Sequence, residues 1–368
     1  MGVGCAAVRP WVQAWDEALY AETGFYRRPE GPAGHFATSC HGPAGAVFAE
    51  AVVALARREG LTTIVDLGAG RGELLAAIAR IVAGPGGPGG PGAWGFEPVA
   101  GWTGPEPGAP GTGAGGPGPD GAGGSGEVWR LVGVEVAEPA RAVAAVEWRV
   151  VPGGARTPGL RDLGPVLVIA NEWLDVVPCV IAQRDRRGVL REVHVDHAGT
   201  ESLGPSIRGV DLDWAGRWWP RGERVEIGRA RDEALGSLLG QVHSGLVVAI
   251  DYGHVVAERP ADGTLVGYRS GRQVRPVPDG SCDLTAHVAV DSLPHDRLVR
   301  QRDALAQLGI RTGGAGVGAA GAGGERSAYD LARRDPIGYL AARHRDSAVA
   351  ELTGAGLGDF WWAITRVG

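Results

Sequence analysis

Residues 64–75, Ile-Val-Asp-Leu-Gly-Ala-Gly-Arg-Gly-Glu-Leu-Leu, decide the fold that we predict for this chain. An apolar run leads into three alternating glycines, Gly68, Gly70 and Gly72, and then into a helical pattern that extends to Val82. Glycine lets the backbone turn sharply and approach a ligand, and the free N–H groups of the new helix face the same point. The pattern therefore predicts a ligand-binding turn between a strand and a helix.

The spacing of the glycines and the acid before them favour one kind of ligand. Dinucleotide-binding folds use a related G-x-G-x-x-G pattern, whereas this turn has G-x-G-x-G spacing and follows Asp66. That arrangement resembles the first motif of class I S-adenosylmethionine (SAM) methyltransferases. A carboxylate at Asp66 can accept from the cationic amino group of SAM but would repel a pyrophosphate. A tight turn without a ligand is the alternative.

Composition limits the function classes. The chain has 368 residues, a net charge of −6 at pH 7 and four cysteines without C-x-x-C pairing. The charge argues against a nucleic-acid-binding protein, and the cysteines indicate neither a metal site nor a disulfide framework. No apolar run reaches the roughly 20 residues of a membrane span, and no secretory signal pattern is present. We therefore expect a cytoplasmic protein with no metal, nucleic-acid partner or membrane partner.

The first 60 residues are predicted to form helices and a polar loop that complete the active site. Apolar spacing indicates one helix over residues 10–24 and another over residues 44–59. The loop between them carries Thr38, which is a candidate on the substrate side.

Two segments lack the pattern of a folded core. In residues 84–126, 28 of 43 positions are Gly or Pro, and residues 312–324 are almost wholly Gly and Ala. Such segments bury too little apolar surface to offset the entropy of ordering them. We interpret both as disordered inserts in the main domain.

The length of the first insert must be subtracted before an acid can be assigned to the ribose of the ligand by its spacing from the glycine turn. A strand is predicted over residues 129–136, and Glu138 follows it. Without the insert, Glu138 lies 23 residues after Gly72, close to the roughly 20 at which Rossmann-like folds place an acid for ribose hydroxyls. Glu138 is therefore our ribose-binding candidate, and a helix N-terminal acid before Pro139 is the alternative.

A second polar cluster follows the buried strand predicted over residues 166–170. Asn171, Glu172 and Asp175 come directly after it, and another buried strand covers residues 245–250. Ligands of open α/β sheets bind beyond the carboxyl ends of the strands. We therefore expect this cluster to face the same crevice as the glycine turn.

Between these strands the pattern changes to short alternating strands, which are predicted from residue 180 to residue 228. A helix over residues 230–242 then leads back to the main sheet. We predict a small inserted subdomain over residues 180–244 and a SAM-binding core formed by residues 61–179 and 245–368. Three tryptophans of the insert form either its core or an exposed peptide-binding surface: Trp214, Trp218 and Trp219.

Six motifs, taken together and in order, resemble those of the MidA family of SAM-dependent methyltransferases. They occupy residues 34–39, 65–72, 170–178, 250–253, 263–269 and 283–288. The resemblance implies an α/β class I methyltransferase fold, a Rossmann-like doubly wound sheet with an inserted small β-rich subdomain, and SAM as the cofactor. Mitochondrial relatives methylate an arginine in a subunit of respiratory complex I, which implies a protein substrate.

The chemistry of methyl transfer is consistent with these residue types. The reaction is an in-line displacement that depends mostly on alignment, and a planar guanidinium acceptor would be held best by carboxylates. Glu172 and Asp175 are the candidate catalytic residues, with Asn171 as a third residue that also belongs to the cofactor site. The cofactor candidates are Asp66, Gly68, Gly70, Gly72, Glu138 and Asn171. The substrate-side candidates are Thr38, Glu226, Tyr252, Tyr268, Thr285 and His287.

Two other function classes stay open at this point. An NAD-linked oxidoreductase would share the glycine turn and the ribose acid, but it needs a group for hydride transfer chemistry. A catalytically silent assembly or scaffold protein would keep the fold in order to bind a partner, although the presence of Asp66, the glycines and Glu138 argues against it.

Overall fold

The computed structural model describes residues 8–28, 40, 42–83, 127–139, 145–157, 159–312 and 332–368. Thr38 lies outside these residues, as do the predicted insert at 84–126 and nearly all of the one at 312–324.

The longer α-helices are α1 (Trp11–Tyr20), α2 (Gly42–Arg58), α3 (Glu73–Val82), α4 (Gly209–Trp218), α5 (Arg229–Gln241), α6 (Gln301–Gln307) and α7 (Pro336–Thr353). The strands are β1 (Arg9–Pro10), β2 (Thr63–Leu67), β3 (Arg130–Glu135), β4 (Val146–Val150), β5 (Pro165–Asn171), β6 (Val180–Arg184), β7 (Leu190–Val195), β8 (Glu201–Ser206), β9 (Arg224–Ile227), β10 (Ser244–Asp251), β11 (Gly253–His254), β12 (Val266–Arg269), β13 (Arg272–Val274), β14 (Asp283–Thr285), β15 (Val288–Ala289), β16 (Arg297–Arg300) and β17 (Trp361–Val367).

The main sheet has seven strands in the order β16-β17-β10-β5-β2-β3-β4. Strands β10, β5, β2, β3 and β4 are parallel, whereas β17 runs antiparallel between β10 and β16. The strand order reverses between β2 and β5, which creates the kind of crevice where open α/β sheets bind ligands. The glycine turn follows β2, and the Asn171 cluster follows β5, so both lie at this crevice.

Both faces of the main sheet are buried, which explains why its central strands are almost continuously apolar. Ile64 of β2 belongs to the core beneath α2, α3, α6 and α7, while its neighbour Val65 belongs to the core beneath α5. This alternation follows from the period of two in a strand. Helices therefore cover the sheet on two sides and leave the carboxyl edge of the parallel strands open for a site.

A second sheet is formed by the inserted region. Strand β6 pairs antiparallel with β7 and with β9, β8 pairs with β7, and the N-terminal β1 pairs antiparallel with the last two residues of β7. Trp214 and Trp219 are buried against Val225 and Ile227, while Trp218 packs on the edge of the same cluster. The tryptophans thus contribute to a core, and β8 and α4 are elements that the sequence patterns did not indicate.

The N-terminal residues do not pack as one unit. Trp11 and Trp15 of α1 are fully buried in a cluster with Ile181 of β6 and Leu284 of β14, whereas α2 packs on the main sheet. The indole Nε1 of Trp15 donates to the Leu284 carbonyl at 3.0 Å. Helix α1 therefore joins the inserted sheet to the loops at the carboxyl edge of the main sheet.

The C-terminal elements complete the main sheet and its helical cover. Helix α6 starts at Gln301, because the preceding residues pair as β16 with β17. At the start of α7, the Asp335 side chain accepts from the Gly338 amide before Pro336 opens the first turn. Among the described residues, no helix is both long enough and apolar enough to cross a membrane.

Candidate functional site

A cavity of about 590 Å³ lies at the carboxyl edge of the main sheet. The ends of β2, β3, β5 and β10 form its floor, and segments from α1 and β14 line its opposite side. Its volume is in the range of sites for small molecules and cofactors. Of the residues predicted from the sequence, those that line it are Asp66, Gly68, Gly70, Asn171, Glu172, Asp175, Tyr252, Tyr268, Thr285 and His287.

The glycine turn forms one end of the cavity. Gly68, Gly70 and Gly72 have φ angles of 79°, 57° and 82°, a region that residues with a Cβ rarely adopt. A Cβ built on Gly68 would meet no described atom within 4 Å, and one on Gly70 would meet only the Glu73 carboxylate, at 3.8 Å. The turn therefore exposes bare backbone to the cavity, whereas Gly72 caps α3 outside the lining.

The acid that faces this turn is Glu135, not Glu138. Glu135 is the last residue of β3, lines the cavity, and accepts from the Gly70 amide at 2.9 Å and the Val136 amide at 2.6 Å. Glu138 lies three residues beyond the end of β3, is exposed and does not line the cavity. Glu135 rather than Glu138 therefore contacts the glycine turn, and β3 ends at residue 135, one residue before its predicted end.

Asp66 lies beneath the glycine turn. Its side chain is 4% exposed. Burial raises its pKa to about 7, and the nearby carboxylates of Glu135 and Glu73 act in the same direction. A cation placed beside Asp66 would restore the ionised form, so this end of the cavity favours a positively charged ligand group.

Asn171 and Glu172 form the middle of the cavity. Asn171 is the last residue of β5, and its amide donates to the Glu172 carboxylate at 3.1 Å and contacts the Cys40 sulfur at 3.7 Å. Glu172 has a φ of 52°, and its amide donates to the Ile250 carbonyl at 2.8 Å. A left-handed conformation at a residue other than glycine is strained, and such strain is concentrated at functional sites.

Asp175 forms the deep end of the cavity. The residue is 4% exposed, and its Oδ2 accepts from the Thr285 hydroxyl at 2.6 Å and from the Tyr252 hydroxyl. Its Oδ1 has no hydrogen-bond partner among the described residues. Burial raises the pKa of Asp175, while the two hydroxyl donors and the Arg231 charge lower it.

The loop that carries Asp175 is held by two buried charged groups. Asp251, at the end of β10, accepts from the amides of Leu174 and Asp175 at 2.9 and 3.1 Å. Arg231 of α5, which is 1% exposed, donates to the carbonyls of Val177 and Asp175 at 3.0 and 2.8 Å. The same guanidinium also donates to the backbone carbonyls of residues 286 and 287. It thereby ties the Asp175 loop to the segment after β14.

Three residues on the opposite wall are not among the site residues predicted from the sequence. Asp283 of β14 is 3% exposed, lines the cavity and accepts from the Tyr26 hydroxyl at 2.9 Å. Tyr20 also lines the cavity, and its hydroxyl donates to the Val176 carbonyl at 3.0 Å. Asp283 stands in a motif that the family resemblance had marked, but Tyr20 and Tyr26 are far away in sequence and carry no local signal.

Glu226 does not occupy the substrate-side position that was predicted for it. It is 1% exposed and lies outside the cavity lining. Its carboxylate accepts from the amide and hydroxyl of Thr264 and, at 2.7 Å, from the Leu265 amide. The Thr264 hydroxyl in turn accepts from the His287 amide at 2.8 Å. Glu226 therefore holds the loop before β12 and stabilises the cavity wall indirectly.

The charges around the cavity are mainly negative. Seven carboxylates line it: Asp66, Glu73, Glu135, Glu172, Asp175, Asp283 and Asp359. The described lining contains three arginines, Arg71, Arg156 and Arg300. Arg300 stacks on Trp361 at 3.7 Å and donates to the Asp359 carbonyl at 2.6 Å. Within the described part of the chain, no cluster of His, Cys, Asp and Glu suits a metal ion.

Comparison with known proteins finds one matching family model and solved structures that share the fold. Residues 139–295, somewhat under half of the chain, match the family described as "Putative S-adenosyl-L-methionine-dependent methyltransferase". This stretch contains the Asn171 cluster, β10 and β14 but not the glycine turn. No curated protein sequence matches the chain.

Two solved structures share the fold over almost the whole chain. One is a COG1565 superfamily member from Burkholderia thailandensis bound to S-adenosyl-homocysteine, with 19% identity, a TM-score of 0.63, and coverage of 97% of this chain and 87% of that one. The other is a protein of the same superfamily and organism, solved in its native form, with 20% identity, a TM-score of 0.60, and coverage of 98% and 87%. The predicted fold class is confirmed, and the family match over residues 139–295 agrees with the predicted similarity to SAM-dependent methyltransferases.

Proposed function

We propose that this protein, as a chain similar to SAM-dependent methyltransferases, transfers a methyl group from SAM to a protein side chain, with arginine favoured as the acceptor. The observation that carries the proposal is a single cavity with two chemically distinct ends. One end is the bare glycine turn beside Asp66 and Glu135, and the part from the middle to the other end holds the carboxylates of Glu172 and Asp175.

The first end fits SAM. Gly68 and Gly70 present backbone to open space, so a nucleoside can approach without meeting a Cβ. Glu135 accepts one amide at each oxygen and retains lone pairs that can accept from ribose hydroxyls. Asp66 is placed to accept from the cationic amino group, which would favour its ionised form. The S-adenosyl-homocysteine bound by the Burkholderia relative supports this assignment.

The second end fits a cationic nitrogen acceptor. Glu172 and Asp175 line the same cavity as Asp283, whose pKa is raised by burial and then by the nearby charges of Asp175 and Glu172. Like charges in such a space are unfavourable unless a cation neutralises them. A guanidinium is planar, permanently charged and able to donate to two carboxylates at once. An arginine side chain therefore matches this end better than a neutral or acidic metabolite does.

The residues of the chain contribute mainly by alignment. SAM supplies a methyl group on a sulfonium, which is already electrophilic. Glu172 and Asp175 would hold the guanidinium so that one nitrogen points at that methyl group, while Asn171 fixes the Glu172 carboxylate by its hydrogen bond. Alignment of this kind can lower the barrier by about 7–11 kcal/mol.

Two rival functions make different predictions. An NAD-linked oxidoreductase would place a pyrophosphate near the glycine turn, where Asp66, Glu73 and Glu135 would repel it. A silent scaffold would gain nothing from the left-handed backbone of Glu172, a conformation that costs about 1–3 kcal/mol of stability at a residue other than glycine. Thermal-shift measurements with SAM and with NAD separate the first rival from our proposal.

The deciding experiment is methyl transfer from labelled SAM to proteins of a host lysate, followed by identification of the modified amino acid. We expect labelled methylarginine. Glu172→Gln keeps the shape of the side chain but removes the charge that orients a guanidinium, so transfer should fall about 100-fold while SAM affinity stays near that of the wild type. Asp213→Asn, a charge loss at an exposed position of α4 away from the cavity, is the matched control.

Three outcomes of this assay would contradict the proposal. A labelled small metabolite would overturn the protein acceptor, and labelled lysine or histidine would overturn arginine. Transfer by Glu172→Gln at the rate of Asp213→Asn would show that Glu172 does not orient the acceptor.

A further inference from the structure

A group of exposed arginines lies at one end of the inserted sheet. Arg186 and Arg187 are in the turn between β6 and β7, Arg221 is in the loop between α4 and β9, and Arg217 is in the last turn of α4. None of these four side chains makes a hydrogen bond or an ion pair with another described residue. We call these four residues the basic tip.

The guanidinium of Arg184 holds the two segments of the basic tip together. It donates to the Gly188 carbonyl in the turn and to the Gly222 carbonyl in the loop, both at 3.1 Å. The Arg184 amide also donates to the Glu223 carbonyl at 2.8 Å. The arginines of the turn and of the loop are therefore neighbours in the fold, although they are far apart in the sequence.

The positive charge of the basic tip is not balanced locally. Residues 184–191 and 217–223 contain six arginines and two acids, whereas the whole chain has a net charge of −6. One of the two acids, Asp185, accepts from Arg191 at 2.7 Å and from two amides of its own turn. Its charge is therefore already used within the turn. A concentrated positive charge on an otherwise acidic protein favours an anionic partner.

The basic tip also offers apolar surface beside its charges. The Arg217 guanidinium lies over the ring of the half-buried Trp218, 4.7 Å from its centroid. Val189, in the same turn as Arg186 and Arg187, is 42% exposed. Arginine and aromatic residues are enriched in protein–protein interfaces and among their hot spots. This combination favours a polypeptide over a free inorganic anion.

We propose that the basic tip binds an acidic segment of the protein substrate, while an arginine of the same substrate enters the cavity. This inference rests on the proposed function and adds to it a second recognition site with the opposite charge preference. A guanidinium donates bidentately to a carboxylate, so glutamate and aspartate side chains fit the exposed arginines. A nucleic acid fits less well, because the seven carboxylates of the cavity would repel phosphates that extend from the tip toward it.

The chain itself limits the distance between the two sites. Asp175 lines the cavity, and Arg184, at the end of β6, follows it by nine residues. A fully extended chain covers at most about 3.6 Å per residue, so these two Cα atoms lie at most about 32 Å apart. A bound polypeptide that is also extended covers this distance in about ten residues. We therefore expect acidic residues within about ten positions of the target arginine.

Binding is tested with the full-length protein and a fluorescein-labelled peptide of about eight glutamates, by fluorescence anisotropy at low salt. The triple variant Arg186→Gln, Arg187→Gln, Arg221→Gln should bind this peptide about tenfold more weakly, since three individually weak exposed ion pairs are lost together. Added salt should weaken binding to the wild type, because it screens exposed charges.

A second triple variant, Arg80→Gln, Arg334→Gln, Arg343→Gln, is the matched control. It removes the same charge from exposed positions of the main domain that do not line the cavity. Its affinity for the glutamate peptide should stay within about twofold of the wild type. Equal losses in the two triple variants would show that only the total charge matters, and no binding by the wild type would exclude an acidic site. Either result would overturn the proposal.

Transfer kinetics test whether the tip and the cavity bind one substrate. Two peptides carry the same arginine and differ only in a short run of residues about eight positions away, which are glutamates in one and glutamines in the other. With the wild type, KM for the glutamate peptide should be about tenfold lower at a similar kcat. The variant at the basic tip should lose this difference, whereas general damage to the fold would affect both peptides alike. Equal KM values with the wild type would contradict the proposal.

Other anions and the proposed function itself give distinct outcomes. A single-stranded oligonucleotide or vesicles with phosphatidylserine that bind more tightly than the glutamate peptide, and are released by the same triple variant, would overturn an acidic polypeptide as the partner. If the wild type methylates neither peptide but binds the glutamates through the tip, the proposed function is wrong, whereas the tip remains a site for acidic polypeptides. If it methylates both peptides equally well, the proposed function survives and the role of the tip is overturned.

Discussion

The Glu135 carboxylate accepts a hydrogen bond from the Gly70 amide, with 2.9 Å between nitrogen and oxygen. A carboxylate at the end of β3 is therefore joined directly to the turn after β2. Its other oxygen accepts the Val136 amide at 2.6 Å. The two strand ends are therefore fixed relative to each other before a ligand binds. For a ligand that spans a ribose and an amino acid moiety, this preorganisation reduces the entropy lost on binding.

The first prediction compares Glu135 with Glu138. Glu135→Gln should weaken SAM binding at least tenfold, because hydrogen bonds to a charged acceptor contribute about 1.5–3 kcal/mol. Glu138→Gln changes an exposed side chain outside the cavity and should leave the affinity within about twofold. Isothermal titration calorimetry on the two variants decides the question. A loss of affinity confined to Glu138→Gln would support the ribose acid first predicted from the sequence. Equal losses in the two variants would contradict the assignment to Glu135 alone.

The second prediction concerns the backbone of the glycine turn. Gly70→Ala forces a side chain into a left-handed conformation, at about 1–2 kcal/mol, and also places a methyl group where the backbone would meet the ligand. Gly60→Ala is the matched control, because Gly60 has a φ of 67° and no described atom within 4 Å of the added Cβ, but does not line the cavity.

Both variants should lose similar stability, measured by chemical denaturation. Only Gly70→Ala should also lose SAM affinity, by tenfold or more. If Gly70→Ala binds SAM as tightly as Gly60→Ala does, the cofactor does not approach this turn.

The third prediction is a pH dependence caused by Asp66. Its pKa in the folded protein is raised to about 7, above the value near 4 of an unfolded aspartate. The contribution of Asp66 to the free energy of unfolding is therefore present below about pH 4 and is lost as the pH rises through 7. Asp66→Asn should remove this loss and raise the melting temperature of the ligand-free protein near pH 7.5.

The same group should couple SAM binding to proton release. A cationic ligand favours the ionised carboxylate, so affinity should rise by up to about tenfold per pH unit between pH 5.5 and 7. Calorimetry in buffers of different ionisation enthalpy measures the released proton. Asp66→Asn should bind SAM weakly and without this pH dependence, and a wild-type affinity that is flat over this range would exclude contact between Asp66 and the cationic group.

The main sheet could be predicted from the sequence because its signal is local. Strands β5 and β10 contain the apolar runs 166–170 and 246–250, because both of their faces are buried, and each strand ends in a polar residue. In β2 the apolar run is interrupted by Asp66, just before the glycine turn. The cluster at Asn171 could be placed in the crevice by the general geometry of parallel strands. None of these sequence signals depends on which distant segments come together.

The features that the sequence did not reveal depend on pairing and on contacts between distant residues. Strand β3 ends at Glu135, where its partner β4 ends at Val150, and the apolar pattern continues for one more residue without a partner. The acid that contacts the glycine turn is the last residue of this strand, three positions before Glu138. Likewise, Tyr26 reaches Asp283 across 257 residues, and no periodicity in either segment encodes that contact. Glu226 was predicted on the substrate side because, in the sequence, a buried acid that accepts from the amides of a loop cannot be distinguished from an acid that binds a substrate.

The last prediction uses the strained backbone of Glu172. This residue has a φ of 52° directly after β5, which a glycine would adopt without strain. Glu172→Gly should therefore raise the free energy of unfolding by about 1 kcal/mol, or the melting temperature by about 2 °C. The same change removes the carboxylate proposed to orient the acceptor, so methyl transfer should fall about 100-fold.

Ser270→Gly separates the two effects. Ser270 has a φ of 51° in the exposed turn between β12 and β13 and does not line the cavity. We expect a similar gain in stability with transfer unchanged. A gain in stability together with lost activity in Glu172→Gly alone would show that the strain is maintained for function. If Glu172→Gly destabilises the protein, the contacts of the Glu172 side chain stabilise the fold by more than the strained backbone destabilises it. The carboxylate would then be mainly structural.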